Sequence, residues 1–309
     1  MTVWTISEPK IGTLSQCVSV ARHFEPQPIE KVVFPRRGLR RLFDPPLYTK
    51  GETAPTLIVS CGFRAEKRVV KAKEMFGEPM IVHLQPPVIP GYDLSFVSRH
   101  DWKPDFDRRP SYHPMIGVPH RFTESFWETR RQSARKTYSA DNARVVTVLL
   151  GGSNGAYAYD DSTHATIKRA VESLIGGGWK VLISVSRRSS ADTLSAVSVL
   201  RSPQVEIWDR VGPNPYLDYV AAADAFLIAK DSVTMPCEAL STGKPVYILD
   251  ITRIPGDRLA KFEWYHSDLQ NTLALTRPFE GALTPYDYQS PDEALRISKI
   301  IEQTHGFRR

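Results

Sequence analysis

Chemistry is suggested first by the segment DAFLIAKDSVTMPCEALSTGKPVYILD, whose pattern predicts a buried strand, a helix and a second strand. Asp231 and Ser232 are suited to cap a helix that begins near Val233. Free N–H groups and the positive dipole end at a helix start favour phosphate, so Ser232, Val233 and Thr234 are candidate phosphate-binding residues. Glu238 shares a helix face with Thr234 and is suited to hold a sugar hydroxyl. The segment therefore predicts a nucleotide-sugar site.

Two further loops follow apolar strand patterns and carry groups that can meet a phosphate. The loop after VVTVLL reads GGSNG, and the loop after KVLISV reads SRRS. Glycine lets a backbone come close to a ligand, and arginine can bind a diphosphate through two hydrogen bonds. The candidate binding residues in these loops are Gly152, Ser153, Asn154, Arg187 and Arg188.

Each of these features has a simpler alternative. GGSNG matches neither GxGxxG nor the Walker A sequence, so it also reads as a tight strand-to-helix turn. The arginines also read as solvated surface charge, and Glu238 as an exposed helix residue or a partner of Lys244. The carboxyl ends of parallel strands lie at one edge of a sheet, so we expect the three loops to converge there. Convergence favours a ligand site over the alternatives.

An inverting sugar transfer would also need a general base from the first half of the chain. The candidates are His120 in IGVPHRF, His100 and Asp101 after LSFVSR, and His83 after MIV. Each also reads as an ordinary buried or surface polar residue.

These residues must be positioned by an α/β fold, because short β-like runs alternate with helical patterns in both halves of the chain. With 309 residues the chain is long for one core. We predict two Rossmann-like, doubly wound domains facing a cleft, with residues 1–140 on the acceptor or membrane side and residues 141–309 holding the donor. The pattern loses its period after Asp257. A last helix over residues 292–304 is expected to pack back on the first domain.

Charge is divided unevenly along the chain. Residues 1–140 hold 22 Lys and Arg against 14 Asp and Glu, and the remainder holds 18 against 20. The basic half predicts an anionic partner, either a membrane surface or an acidic acceptor. We do not expect nucleic acid, because no zinc-finger, RNP or helix-turn-helix pattern accompanies the charge. The densest basic cluster, which also reads as a solvated loop, is Arg36, Arg37, Arg40 and Arg41.

Composition predicts a cytoplasmic protein, at most peripheral on a membrane. No run of about 18 apolar residues is present, and the N-terminus lacks the pattern of a secretory signal. The three cysteines, Cys17, Cys61 and Cys237, are far apart, which predicts buried thiols and no metal site built on cysteine.

The chain resembles the Elm-type (elongated mitochondria) mitochondrial fission protein family in the segments LLGGSNGAYAYD, SVSRRS, NPYLDYVAAADAFLIAKDSVTMPCEALSTGKPVYILD and IGVPHRFT. That family is similar to GT-B glycosyltransferases, with two Rossmann-like domains around a cleft. The resemblance implies that Glu238 takes the donor ribose hydroxyls and that residues 232–234 meet the pyrophosphate, with residues 152–154 closing over it.

One departure concerns the first loop. Family members carry the pattern DGKxGHxxQ, and this chain keeps Gly12 and Gln16 but has Thr13 in the histidine position. We therefore hold two expectations. The first is a metal-independent glycosyltransferase that moves a sugar from a nucleotide-diphosphate donor to a lipid-linked or anionic acceptor. The second is a non-catalytic adaptor that recruits a protein partner, as the family's plant members are implicated in doing. A nucleotide-sugar epimerase is weaker, because no Rossmann fingerprint or Tyr-x-x-x-Lys pair is present.

Overall fold

The computed structural model describes residues 1–34, 47–49, 51–139 and 143–306. The basic cluster predicted to contact a membrane lies outside these residues. The strands are β1 Val3–Ser7, β2 Ile29–Val32, β3 Leu57–Cys61, β4 Met80–His83, β5 Leu94–Ser98, β6 Tyr112–Met115, β7 Arg144–Leu150, β8 Trp179–Val185, β9 Val205–Trp208, β10 Ala225–Ala229, β11 Val246–Leu249 and β12 Arg277–Pro278. The α-helices are α1 Ile11–Ala21, α2 Phe63–Met75, α3 Glu124–Tyr138, α4 Asp161–Gly176, α5 Ala191–Ser198, α6 Tyr216–Ala222, α7 Thr234–Leu240, α8 Asp257–Ser267 and α9 Glu293–His305.

The chain forms two compact units, each built on a parallel sheet. Unit 1 contains residues 1–121 and 292–309, and its described strands lie in the order β2-β1-β3-β4-β5-β6. Its core residues come from both faces of β1, β3 and β4, as near-continuous apolar runs predict for a sheet covered on both sides. β6 contains Pro114 and lies at the edge of the sheet, where a missing N–H is tolerated.

Unit 2 contains residues 122–291, and its described strands lie in the order β12-β11-β10-β7-β8-β9. Every named strand pair in this sheet is parallel. The order reverses between β7 and β10, which creates the topological switch point where α/β sheets bind ligands. In unit 1 the equivalent reversal lies between β1 and β3. The prediction of two Rossmann-like α/β units is confirmed.

The division between the units differs from the predicted boundary near residue 140. α3 belongs to unit 2, because its arginines hold the carboxylate of Asp224 just before β10. Arg131 Nη2 and Arg135 Nη1 donate to Asp224 Oδ1 and Oδ2, at 2.5 and 2.6 Å. Burial alone would raise the pKa of Asp224, but the amide of Val145 and these guanidinium groups lower it on balance.

The last helix, α9, belongs to unit 1. Ile297 and Ile301 are fully buried in the unit 1 core. The carboxylate of Glu293 accepts a hydrogen bond from the Ile116 amide at 3.1 Å, and Arg296 donates to the carbonyl of Pro114 at 2.6 Å. Unit 1 is therefore discontinuous in sequence.

Candidate functional site

Three loops meet at the switch point of unit 2 around the carboxylate of Asp231. This side chain is fully buried, directly after β10. Its Oδ2 accepts hydrogen bonds from the amide of Gly152 at 3.0 Å and from Arg188 Nη2 at 2.8 Å. Its Oδ1 accepts one from the hydroxyl of Tyr159 at 2.8 Å. The loops after β7, β8 and β10 are thus joined by one buried negative charge.

The predicted N-cap role of Asp231 is wrong, because its carboxylate turns toward the glycine-rich loop. Ser232 alone performs the capping, with its Oγ accepting from the amide of Met235 at 3.1 Å. Val233 immediately precedes α7, and Thr234 is the first residue of the helix. The Thr234 side chain is exposed, whereas Ser232 is buried.

The glycines of the first loop make room for groups of the protein itself. A Cβ at Gly151 would lie 1.8 Å from Asp231 Oδ2, and a Cβ at Gly152 would lie 2.4 Å from the carbonyl oxygen of Arg188. The interpretation that these glycines exist to admit a phosphate is therefore not needed to explain them. They allow the loops after β8 and β10 to pack against the end of β7.

The remaining polar groups of this loop are also used internally. Ser153 Oγ accepts from the amide of Tyr159 at 2.9 Å. Asn154 Oδ1 accepts from the amides of Ala156 and Tyr157, and Asn154 Nδ2 donates to the carbonyl of Asp231 at 3.1 Å. The loop is held in one conformation before any ligand arrives, which is the preorganisation that a binding site requires.

The two arginines after β8 differ in their surroundings. Arg188 keeps 48% of its side chain exposed while its guanidinium also donates to the carbonyl of Gly152 at 3.2 Å. Arg187 is exposed. Asp231 balances the positive charge of Arg188. Arg188 therefore offers less net charge to an anion than Arg187 does.

Glu238 is half-buried on α7 and accepts a hydrogen bond from the hydroxyl of Tyr216 in α6. Burial and the adjacent Glu238 carboxylate raise the pKa of Tyr216, so this phenol stays a donor at neutral pH. The hydrogen bond fixes one carboxylate oxygen and leaves the group oriented. A fixed, half-buried carboxylate is suited to accept hydrogen bonds from vicinal hydroxyls.

Sequence reasoning missed Tyr159 and Tyr216, which orient the site. It also missed a short antiparallel pairing between the loop after β7 and the loop after β11. The amide of Ile254 donates to the carbonyl of Ala156 at 2.7 Å, and Tyr157 bridges to Arg253. Only the tyrosine-rich run GAYAYD directly after GGSNG hints at these contacts in the sequence.

The base candidates all follow strands of unit 1. His83, at the end of β4, is fully buried, and its Nδ1 lies 2.9 Å from Ser60 Oγ. Burial lowers the pKa of His83 to about 3, so its ring is neutral and closed to solvent. His100 Nε2 lies 3.7 Å from the carboxylate of Asp101 after β5, and His120 is largely buried after β6. His100 and His120 lie in the loops that follow β5 and β6, which are neighbouring strands of the unit 1 sheet.

The departure in the first loop has a structural explanation. Thr13 is buried, and its hydroxyl contacts the carbonyl oxygens of Glu8 and Lys10 at 3.1 and 2.9 Å. Thr13, which stands at the histidine position of the resembled pattern, therefore stabilises the start of α1.

Neither a metal-ligand cluster nor a membrane-spanning helix is found in the described residues. In residues 1–34, 47–49, 51–139 and 143–306, no three His, Cys, Asp or Glu side chains are grouped so that they could hold a metal ion. No helix in the same part of the chain combines the length and apolar character needed to cross a bilayer.

The fold is that of GT-B proteins, a class that contains glycosyltransferases and epimerases. The structure is similar to the glycotransferase of kitacinnamycin, with a TM-score of 0.52 and 14% identity over 98% of both chains. It is also similar to a UDP-GlcNAc 2-epimerase from Neisseria meningitidis bound to UDP-GlcNAc, with a TM-score of 0.50 and 12% identity over 98% of this chain and 99% of that one. The fold alone therefore does not distinguish a transferase from an epimerase.

The family model for mitochondrial fission ELM1 matches residues 11–305, and the chain belongs to this family. The mitochondrial fission protein ELM1 of Arabidopsis thaliana is 24% identical over 265 residues, which cover 75% of this chain and 59% of the relative. The chain thus matches just over half the length of the plant protein. An uncharacterized protein of Rickettsia prowazekii is 20% identical over 98% of both chains.

Proposed function

We propose that the carboxyl edge of the unit 2 sheet binds a nucleotide-diphosphate sugar and that the protein transfers the sugar to a lipid-linked or anionic acceptor. The observation that carries this proposal is the meeting of three preorganised loops at the switch point. The loops follow β7, β8 and β10, and the loop after β10 leads into α7, where Glu238 accepts a hydrogen bond from Tyr216. Ligands of open α/β sheets bind at this position.

In this proposal Glu238 accepts hydrogen bonds from the ribose hydroxyls. The exposed start of α7 at Thr234 and the loop after β8 lie on either side of the diphosphate in this proposal. Fixed dipoles and guanidinium groups stabilise the charge that develops on a leaving diphosphate, so the proposed transfer has no obligatory metal. The acceptor belongs to unit 1, which carries the excess of basic residues.

The base for an inverting transfer is proposed among His120, His100 and Asp101. His100 Nε2 lies 3.7 Å from the Asp101 carboxylate, so a candidate base and an acidic group beside it are already close together. Ala variants at the three positions test the assignment. Loss of turnover with retained nucleotide binding identifies the base, and unchanged turnover removes a candidate.

The donor site is tested by a thermal-shift screen against UDP, GDP, CMP, ADP and their sugar conjugates. A ligand at 100 times its Kd stabilises the folded state by about 2.7 kcal/mol. We expect one base to give a clear shift and Glu238→Gln to lose it, because an amide still accepts from Tyr216 but binds hydroxyls less strongly than a carboxylate. Glu172→Gln, on the exposed face of α4, is the matched control. Absence of a shift with every nucleotide would contradict the proposal.

A second candidate function is a non-catalytic adaptor with a protein partner. It is favoured by Thr13, which has a structural role in the position where relatives carry histidine. It is also favoured by Asp231, whose carboxylate already accepts hydrogen bonds from the amide of Gly152 and the guanidinium of Arg188, two groups that could otherwise bind a phosphate. A well-folded protein that binds no nucleotide would support the adaptor.

A further inference from the structure

The basic side chains around the carboxyl edge of unit 2 differ in whether an acid already neutralises them. Arg188 is paired with Asp231 at 2.8 Å. Lys230 and Arg253 both contact the carboxylate of Glu263, at 2.8 and 3.1 Å. An ion pair presents little net charge to a third group, so these cations contribute weakly to anion binding.

Arg258 has different surroundings. It is exposed in the first turn of α8, and its stem lies against the glycine-rich loop. A Cβ added at Gly155 would lie 2.9 Å from Arg258 Cδ and 3.4 Å from Nη1. Among the described residues, no hydrogen bond or ion pair joins the Arg258 guanidinium to another side chain or carbonyl. Its stem therefore contacts the glycine-rich loop, while no acid in the described part of the chain is paired with its charge.

The antiparallel pairing between two loops places Arg258 at the site. The carbonyl of Thr252 accepts from the amide of Ala158 at 2.9 Å, and the carbonyl of Ala156 accepts from the amide of Ile254 at 2.7 Å. These contacts join the loop after β7 to the loop after β11. Because β10 lies between β7 and β11, the pairing crosses the end of the strand that leads to α7. The start of α8 is held beside the proposed diphosphate position.

Two other arginines at this edge lack a carboxylate partner in the described structure. Arg210 donates to the carbonyl of Ser189 at 3.2 Å, and Arg187 is exposed in its loop. Neither packs its stem against the glycine-rich loop in the way that Arg258 packs on Gly155.

We infer that Arg258, and not Arg188, supplies the positive charge that binds the diphosphate of the donor. The inference rests on the proposed function and assigns a specificity-determining residue within it. Arg188 then acts as a positioning residue that satisfies the buried carboxylate of Asp231. Arg258 distinguishes nucleoside diphosphates from nucleosides, because only the former carry the charge it meets.

The test measures the binding of UDP, GDP and ADP, of their nucleosides, and of inorganic pyrophosphate by calorimetry. For Arg258→Gln we expect the affinity for the bound diphosphate and for pyrophosphate to fall about tenfold or more. We expect the nucleoside affinity and the Tm to stay unchanged. Arg169→Gln on α4 is the matched control, because Arg169 is also exposed and contacts only Thr166 among the described residues.

A second variant, Gly155→Ala, displaces the Arg258 stem without removing its charge, and we expect a smaller loss of the same kind. Wild-type affinity for diphosphates in Arg258→Gln would overturn the inference and leave the donor site intact. Equal losses for the nucleoside and the diphosphate would also overturn it. If the wild-type protein itself binds no nucleotide and no pyrophosphate, the proposed function fails together with the inference.

Discussion

The switch points of the two units use the same device with different surroundings. In unit 2, Asp231 follows β10 and packs against Gly151 after β7. In unit 1, Glu8 follows β1 and packs against Gly62 after β3, where a Cβ would lie 2.7 Å from Glu8 Cγ. Each acid is almost completely buried. In both units a carboxylate of the protein occupies the place where α/β sheets often bind anions.

The partners of the two carboxylates differ. Asp231 is bound by a buried tyrosine hydroxyl, a buried amide and one guanidinium. Glu8 is bound mainly by Lys10 and Arg64, whose side chains are 67% and 49% exposed. Burial alone would raise the pKa of Glu8, but Lys10 and Arg64 lower it on balance. The comparison indicates a rigid switch point in unit 2 and a solvent-screened one in unit 1.

The largest effect is expected from filling the space beside the buried acids. Gly151→Ala must displace the Asp231 carboxylate and should lower the free energy of unfolding by about 4 kcal/mol or prevent folding. Gly62→Ala, at φ 99°, should cost about 2 kcal/mol, because the flexible Glu8 side chain can move. Urea unfolding measures both. Gly176→Ala, which meets no atom within 4 Å, is the control. Equal costs for Gly151→Ala and Gly62→Ala would contradict the difference between the two units.

Removing the acids themselves should again cost more stability in unit 2 than in unit 1. Asp231→Ala leaves Arg188 without its counter-ion and Tyr159 without its acceptor, and should cost about 3 kcal/mol. Glu8→Ala removes a partner of two cations that solvent already screens, and should cost about 1 kcal/mol, with a strong dependence on salt. Unfolding free energies at 0.05 and 0.5 M NaCl test this prediction. A larger cost for Glu8→Ala would contradict it.

The observed strands and contacts show which features the sequence could predict. The apolar runs LIVSC, LSFVS and AFLIA coincide with β3, β5 and β10, because continuous apolar runs between turn residues leave few alternatives to a buried strand. α8 was missed, since DRLAKFEWYHS has no clear apolar stripe. Asp231 was misassigned because the N-cap rule is local, whereas its contact with Gly151 joins residues far apart in the chain. The convergence of the three loops could be predicted from the sheet topology. The antiparallel pairing between the loops after β7 and β11, which positions Arg258, could not.

A pH-dependent effect of intermediate size is expected in unit 1. The pKa of His83 is about 3 in the folded state and about 6.5 when unfolded. Its contribution to stability is therefore complete above pH 6.5 and is lost as the pH falls toward 3. Between pH 7 and pH 5 the loss is about 2 kcal/mol.

His83→Gln should flatten this pH dependence, because glutamine does not titrate. The substitution also changes the contact with Ser60, so the quantity to compare is the difference in stability between pH 5 and pH 7. Unfolding curves at pH 5 and pH 7 provide the measurement. Gln303→Ala, on the exposed part of α9, removes no titratable group and should retain the wild-type slope. An unchanged slope in His83→Gln would remove His83 as the source.

The smallest effect is expected from removing one of the exposed partners of Glu8 at the unit 1 switch point. Lys10→Met removes one exposed partner of Glu8, while Arg64 retains its contact at 3.3 Å. The expected loss is below about 1 kcal/mol at low salt and should vanish at high salt. A loss that persists in 0.5 M NaCl would show that solvent does not screen this pair.

The discontinuity of unit 1 has a consequence for synthesis on the ribosome. All of unit 2 emerges before α9, so unit 2 can fold while unit 1 still lacks the helix that carries Ile297 and Ile301. The nascent unit 1 sheet exposes the apolar surface that this helix covers. Final closure must then join segments separated by the whole of unit 2, and a longer separation adds only slowly to the entropic cost. Residues translated after unit 2 therefore complete the core of unit 1.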